Sequence, residues 1–150
     1  MYKYDIKKDK WEDTNRPMRV PRSGHSCLLL NNEIFVAGGN GGTVEQWKTT
    51  EIFNLQSNTW RSGPDLPKEM WYFQLVKAQS SSRYSAFLIG GIEVFNNLSG
   101  VYGLEKDFKS FRKIGDLKTA RHGNVAFELP EIFNLIEVVN DVDNFLDSLE

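Results

Sequence analysis

Few side chains in this 150-residue sequence could do chemistry by themselves. The candidates are two histidines, His25 and His122, and the one cysteine, Cys27. Structural zinc sites need about four Cys or His ligands at short spacing, and these residues do not supply such a set. Cys27 lies in an apolar run without an adjacent base, so we expect an inert, buried thiol. The sequence therefore predicts no metal site and no catalytic nucleophile.

The glycine-rich run at 38–42 is the next candidate, because such loops can cradle phosphate groups. It lacks the following lysine and the helix that a phosphate-binding loop requires. No nucleophile-elbow or zinc-type His-Glu motif occurs in the sequence either. We therefore predict that the protein is not an enzyme and needs no cofactor.

The elements that carry these residues repeat along the chain. Trp11, Trp60 and Phe111 recur about every 50 residues, a spacing that indicates a repeat architecture. An aromatic residue precedes each of the first two by seven positions, and Tyr102 is the third aromatic in that series. A glycine pair stands between these aromatics in two of the copies, as Gly38-Gly39 and Gly90-Gly91.

Each repeat predicts four short strands. In the second copy, they are strand a at about His25–Leu30, strand b at Glu33–Ala37, strand c at Glu51–Leu55 and strand d at Thr59–Arg61. Four strands and a glycine pair per repeat are typical of one blade of a β-propeller.

The ordered motif residues resemble those of the kelch repeat. In that family a double glycine ends strand b, an aromatic-Asp pair lies on strand c, and a Trp opens strand d. The residues that carry the resemblance are Tyr4, Asp5, Trp11, Gly38, Gly39, Phe53, Trp60, Gly90, Gly91, Tyr102 and Phe111. The resemblance covers roughly residues 1–130 and implies an all-β, kelch-type β-propeller.

Residues 1–136 form the predicted propeller segment. It contains strands c and d of a first blade at 2–13, two whole blades at 22–65 and 70–113, and strands a and b of another at 121–136. That makes about 12 strands, whereas propellers close with four to eight blades of four strands each. We therefore expect an incomplete propeller: part of a longer chain, or one half of a homodimer that closes a six-bladed ring.

The C-terminal residues 137–150 form an acidic tail without Lys or Arg. Apolar residues from Ile132 to Leu149 follow a heptad spacing, which favours a short helix, while Ile132–Ile136 is also explained as a degenerate strand b. We predict strand b followed by a helical tail. The formal net charge of −2 argues against nucleic acid as a partner.

The resemblance implies that the b–c loops and the d–a turns lie on one face of the ring. We predict that partner-binding residues lie there: Arg22, His25, Asn40, Trp47, Trp71, Tyr72, Asn96, Arg121 and His122. The family often presents arginine toward an acidic partner peptide from the positions of Arg22 and Arg121, although Met70 interrupts this series. A salt bridge to a neighbouring loop is the alternative for these arginines, and structural packing is the alternative for the aromatic residues.

The resemblance implies a protein–protein interaction module, of the type found in substrate-recognition subunits of cullin-type ubiquitin ligases or in actin-associated proteins. The alternatives are a degenerate fragment without independent activity and, less favoured, a propeller enzyme of the oxidase or sialic-acid type. We expect a cytoplasmic or nuclear protein, because the sequence has no secretory h-region and no membrane-spanning apolar run.

Overall fold

The computed structural model describes residues 1–127, in which β-strands are the dominant regular element. The predicted strand b at 131–136 and the predicted helical tail at 137–150 lie outside the described residues. Residues 121–127, where a further strand a was predicted to begin, form no regular strand.

Apart from one two-residue hairpin, the strands of the described residues form three antiparallel sheets in chain order. The first, here called the N-terminal half-blade, contains β1 (Tyr2–Asp5) and β2 (Lys10–Asp13). The second, called the middle blade, contains β3 (Ser26–Leu30), β4 (Glu33–Ala37), β5 (Thr50–Asn54) and β6 (Thr59–Ser62). A short 3₁₀ helix, Val44–Lys48, lies in the loop between β4 and β5.

The third sheet, called the third blade, repeats the order of the middle one. Its strands are β7 (Gln74–Lys77), β8 (Tyr84–Ile89), β11 (Gly100–Glu105) and β12 (Phe111–Asp116). The loop between β8 and β11 contains a minimal hairpin of β9 (Ile92–Glu93) and β10 (Asn96–Asn97). Each full blade is a four-stranded meander, so the prediction of an all-β, incomplete propeller is confirmed.

The hairpin β3–β4 shows how local sequence sets these strands. Asn31 and Asn32 both have positive φ, 46° and 65°, which is the conformation required by a two-residue hairpin turn. The ladder that follows pairs Leu30 with Glu33 and Ser26 with Ala37. The observed strands of the middle blade end within one residue of the predicted ends.

The core lies between the middle blade and the third blade. Its buried members come from both sheets and from the turn that joins them: Leu30, Phe35, Ala37, Ile52, Leu66, Met70, Phe73, Leu75, Ala86, Leu88 and Leu104. Phe35 also packs against Phe108 and Phe111, with ring centroids 6.3 and 6.2 Å away. One buried polar contact crosses this core, where the Leu75 amide donates to Ser26 Oγ at 3.1 Å.

The register corrects one motif assignment. Phe53 on β5 pairs with Trp60 on β6, and Tyr4 on β1 pairs with Trp11 on β2. In the third blade, the residue that pairs with Phe111 is Leu104, so the prediction that Tyr102 occupies this position is wrong. Leu104 is fully buried in the core. The position therefore needs an apolar side chain that fills this volume, and an aromatic ring is not essential.

The c–d turns share a second motif, a side-chain oxygen that caps two backbone amides. Asp5 Oδ1 accepts from Lys7 and Lys8, at 3.0 and 3.2 Å. These bonds to the carboxylate, that from Lys8 foremost, lower the pKa of Asp5. Asn54 caps the corresponding turn of the middle blade in the same way.

Candidate functional site on the loop face

The d–a turns of successive blades are joined by backbone hydrogen bonds. Tyr72 donates to the Gly24 carbonyl at 2.8 Å, and Gly123 donates to the Tyr72 carbonyl at 2.8 Å. These three residues hold equivalent positions, and all have positive φ, of 65° (Gly24), 52° (Tyr72) and 61° (Gly123). We call this series the turn ladder. Tyr72 is therefore an aromatic residue held at a position that suits glycine.

The glycine pairs let this ladder form. Gly39 donates to the Met70 carbonyl at 3.1 Å, and Gly91 donates to the Arg121 carbonyl at 2.8 Å. A Cβ added at Gly38 would lie 2.6 Å from the same Met70 oxygen, closer than real contacts allow. Because glycine has no Cβ, each pair leaves room for the d–a turn of the next blade to contact the end of strand b.

The b–c loops are tied to the d–a turns of their own blades. Ser23 and Asn40 exchange two backbone hydrogen bonds at 2.8 and 2.9 Å. Trp71 and Ile92 form the equivalent pair in the third blade, at 3.1 and 2.9 Å. The b–c loops and d–a turns thus form one continuous loop face across the two blades.

Arg22 does not present its charge on this face, which corrects the predicted binding role. Its side chain is fully buried and uses all its donors within the protein. Nη1 donates to the carbonyls of Gly38 and Thr49, both at 2.9 Å. Nη2 donates to Thr49 Oγ1 and Glu51 Oε1, and Nε donates to Glu51 Oε1. Arg22 thus forms a salt bridge, as the alternative prediction had it, but its partner Glu51 lies on strand β5 and not in a neighbouring loop.

Glu51 is the structural residue that sequence analysis missed. Its carboxylate is buried and accepts from the backbone amides of Arg19 and Val20, at 2.8 and 3.2 Å, as well as from Arg22. It therefore holds the linker that enters the middle blade. The available signal was a charged residue inside a predicted strand, directly before the apolar pair Ile52 and Phe53.

The other two positions of the arginine series carry different chemistry. Met70 is buried in the core. Arg121 donates from Nε to the Thr119 carbonyl at 3.3 Å, and its amide donates to the Leu98 carbonyl at 3.1 Å. Arg22 thus lies in a buried ion pair, Met70 is an apolar core residue, and Arg121 is hydrogen-bonded within its own turn. The three positions do not form a matched basic pocket.

Aromatic residues dominate the accessible part of the loop face. Trp47 packs edge-on against Trp71 with centroids 5.0 Å apart, and both are half-buried. Tyr72 lies over Gly24 with 48% of its surface exposed, and its ring is 6.3 Å from that of His122. We call Trp47, Trp71, Tyr72 and His122 the aromatic strip.

Polar groups line this strip. His122 Nδ1 lies 2.7 Å from Asn97 Oδ1 in the β9–β10 hairpin. Trp47 Nε1 and Asn40 Oδ1 are buried and have no hydrogen-bond partner among the described residues. The strip thus combines apolar ring surfaces with a hydrogen-bonding histidine.

The other predicted residues lie beside the strip. His25 is exposed, and partial desolvation together with the Arg22 charge lowers its pKa. Asn96 is exposed next to Phe95, which projects from the hairpin turn with 91% of its surface in solvent. Cys27 is exposed as well, so the prediction that it is buried is wrong.

Within residues 1–127, no cluster of three or more His, Cys, Asp or Glu side chains could hold a metal ion. Over the same range, no helix has the length and apolarity needed to cross a membrane.

A family model described as the kelch motif matches residues 21–67, from the first d–a turn to the turn after β6. This chain contains a kelch motif and is similar to kelch-repeat proteins. It is 27% identical to the kelch repeat-containing protein kel-10 of Caenorhabditis elegans over 99 residues, which are 63% of this chain and 17% of that protein. It is 33% identical over 82 residues to kelch domain-containing protein 10 of Xenopus laevis, covering 49% of this chain and 19% of the relative.

A human relative, kelch repeat and BTB domain-containing protein 12, is 31% identical over 77 residues, covering 47% of this chain and 12% of the relative. This chain therefore spans less than a fifth of the length of these relatives. Its repeats and its relatives support a protein-interaction module.

Proposed function

We propose that this chain binds a segment of a partner protein at the aromatic strip. The observation that carries the proposal is the placement of Trp47, Trp71 and Tyr72 on loops, incompletely covered, at the junction of two blades. Trp and Tyr are enriched among the residues that dominate binding energies at protein interfaces, because they combine large apolar area with a polar end.

The support of the strip favours binding by a preformed surface. Trp71 and Tyr72 are fixed by backbone hydrogen bonds to Ile92, Gly24 and Gly123. A side chain that is already held in place loses little conformational entropy when a partner docks.

The partner segment that fits this strip is uncharged or aromatic rather than acidic. Arg22, the residue predicted to bind carboxylates of a partner, instead forms a buried salt bridge with Glu51. Ring stacking and hydrogen bonds to His122 then remain as the main recognition forces.

A narrower role is substrate recognition in a ubiquitin ligase. The observation that favours it is that several relatives are named for both kelch repeats and a BTB domain. In that role, this chain would hold the protein to be modified, while other parts of the assembly supply the enzymatic step. Actin association and a fragment without independent activity are the alternatives.

Affinity capture from cell lysate with quantitative mass spectrometry tests the proposal. Tyr72→Gly is the most informative variant, because glycine suits the positive φ at this position and the backbone bonds remain. We expect enrichment of specific partners to fall about ten-fold or more, in line with the loss of a central aromatic anchor.

Trp11→Ala is the matched control, because Trp11 is also an exposed aromatic residue but lies on β2, next to a c–d turn. Partners captured equally by the wild type and by Tyr72→Gly would refute the strip as the binding site. Capture of no specific partner by the wild type would favour the fragment.

A further inference from the structure

The hairpin between β9 and β10 ends in two apolar side chains that lie largely in solvent. Phe95 has 91% of its surface exposed, more than any other large hydrophobic residue in the described part of the chain, and Val94 has 50%. A phenylalanine ring in water forgoes the favourable free energy of its burial. We call these two residues the hairpin tip.

The backbone of the turn does not account for its residues. The register of the hairpin makes Val94 and Phe95 the two turn residues. Val94 has a φ of 53°, which suits glycine or asparagine and is strained for a β-branched side chain. The two-residue turn between β3 and β4 also has positive φ, but it consists of Asn31 and Asn32. The hairpin tip thus has both an exposed ring and a strained valine where polar residues would suit the turn better.

The base of the hairpin is fixed to the aromatic strip. Ile92 and Trp71 exchange two backbone hydrogen bonds, at 3.1 and 2.9 Å. On the other strand of the hairpin, Asn97 Oδ1 lies 2.7 Å from His122 Nδ1. Both strands are therefore tied to members of the strip, and the hairpin tip is a preformed projection beside it. Such a projection loses little conformational entropy when a partner binds.

The charges around the hairpin tip favour a protein over a membrane as its target. Residues 94–99 are uncharged, and Glu93 pairs with Lys68 at 2.7 Å. Apolar segments that insert into anionic lipid surfaces are typically accompanied by several Lys or Arg side chains, and residues 92–99 contain neither. A single projecting ring without such charges fits an apolar pocket of a protein.

We propose that Phe95 inserts into an apolar pocket on a folded domain of the partner, with Val94 packed at the rim of that pocket. This inference rests on the proposed function, because it assigns a second contact to the partner that binds the aromatic strip. The partner has to be folded at this contact, since an extended segment alone offers no concave surface to enclose a ring. It therefore binds the loop face at two places, with a segment on the strip and a pocket around the hairpin tip.

Site-specific photocrosslinking in cell lysate tests the contact. Phe95→p-azidophenylalanine keeps the ring and adds a small photoreactive group to the full chain. We expect a crosslink to a specific protein, with the attachment point among apolar residues of a folded domain when the crosslinked peptide is sequenced by mass spectrometry. Ile6→p-azidophenylalanine is the matched control, because Ile6 is 85% exposed but lies in the c–d turn between β1 and β2.

Variants of the hairpin tip then measure its contribution to capture of the crosslinked protein. Phe95→Ser should weaken capture about ten-fold or more, because the burial of a phenyl ring is lost, and Phe95→Leu should retain most of it. Ile6→Ser should have no effect. Val94→Gly should weaken capture without lowering the thermal unfolding midpoint, because it removes the rim contact and relieves the strained φ. A purely structural role of Val94 would not give that combination.

Equal crosslinking from positions 95 and 6 would overturn the proposal, as would capture that Phe95→Ser leaves unchanged. Binding of the wild type to phosphatidylserine vesicles that Phe95→Ser abolishes would also overturn it, by assigning the hairpin tip to a membrane. Tyr72→Gly separates the two proposals. Capture that falls with Tyr72→Gly but not with Phe95→Ser refutes the pocket alone, whereas capture that falls only with Phe95→Ser supports the pocket and refutes the strip.

Discussion

The middle and third blades have the same strand topology, but different side chains stabilise it at equivalent positions. At the d–a turn, Arg22 of the middle blade corresponds to Met70 of the third. On strand c, the register that aligns Phe53 with Leu104 also aligns Glu51 with Tyr102. A buried ion pair in one blade thus corresponds to a thioether and an aromatic ring in the other.

From this difference we expect that the charge pair can be exchanged as a unit, although its members cannot be exchanged singly. A buried charge pair loses hydration energy that its mutual attraction only partly restores, so a well-packed apolar pair can replace it at little cost. Removal of one charge leaves the other buried without compensation. At these two positions, the blades therefore differ in both residues of the pair.

The largest expected effect comes from breaking that pair. Arg22→Met should lower the free energy of unfolding by about 3–5 kcal/mol, because Glu51 keeps two backbone donors but loses its buried counter-charge. Urea denaturation monitored by tryptophan fluorescence measures the loss.

The double variant Arg22→Met, Glu51→Tyr installs the residues of the third blade and serves as the comparison. We expect a favourable coupling of about 1 kcal/mol or more in the double-mutant cycle. Strict additivity of the two single effects would show that the blades do not differ by an exchangeable pair.

The glycine pairs should be equally intolerant in both blades. Gly38→Ala and Gly90→Ala each place a Cβ 2.6 Å from the carbonyl oxygen of the following turn, at φ of 61° and 65°. We expect each to cost about 2–4 kcal/mol in thermal or urea denaturation, from steric overlap and backbone strain together.

Gly123→Ala separates these two causes. Gly123 has φ of 61°, and none of the described residues lies within 4 Å of the added Cβ, so only the backbone cost of about 1 kcal/mol should remain. A cost at Gly38 no larger than that at Gly123 would contradict the close approach of the blades.

A smaller effect should follow from the polar contact that joins the blades. Ser26→Ala leaves the buried Leu75 amide without its acceptor, which should cost about 1–3 kcal/mol. The equivalent residue of the third blade is Gln74, whose side chain donates to the adjacent Leu75 carbonyl at 3.0 Å. Equal losses for Ser26→Ala and Gln74→Ala in urea denaturation would show that this contact has no special role.

The smallest expected effect is a pH dependence restricted to the middle blade. Desolvation and the Arg22 charge lower the pKa of His25 below 6.5, so the folded state favours the neutral imidazole. The stability from this group is present above pH 6.5 and is lost as the pH falls from 6.5 toward the folded pKa.

An NMR titration of the His25 ring protons measures this pKa directly. In Arg22→Met the pKa should move upward, because one of its two lowering causes is gone. The third blade has Phe73 at the equivalent position and adds no such dependence. An unchanged His25 pKa in this variant would exclude an electrostatic contribution from Arg22.

The sequence allowed the strands of the middle blade to be placed well, because its turns carry Asn, Gly and Pro at the positions where the chain reverses. The prediction was wrong at Tyr102. This aromatic residue stands two positions before Leu104, and Leu104 is the residue that fills the core position. Spacing was the better guide, since Leu104 stands seven residues before Phe111, as Phe53 does before Trp60.

Burial was harder to predict than strand position. Cys27 lies in an apolar run, yet its exposure depends on whether another strand covers β3, and no property of that run reveals this. The role of Arg22 depended likewise on Glu51, which is distant in sequence. Long-range contacts decided both outcomes, whereas turns and strands depend on neighbouring residues.

The turn ladder has a consequence for how such a repeat can evolve. Its bonds between blades run from one main chain to another, and every residue except proline provides the same amide and carbonyl. Successive copies can therefore carry different side chains at equivalent positions, as with glycine at 24 and 123 and tyrosine at 72, while the backbone bonds between blades are kept. Sequence identity between repeats can thus decay much faster than their geometry, and old copies remain compatible with new ones.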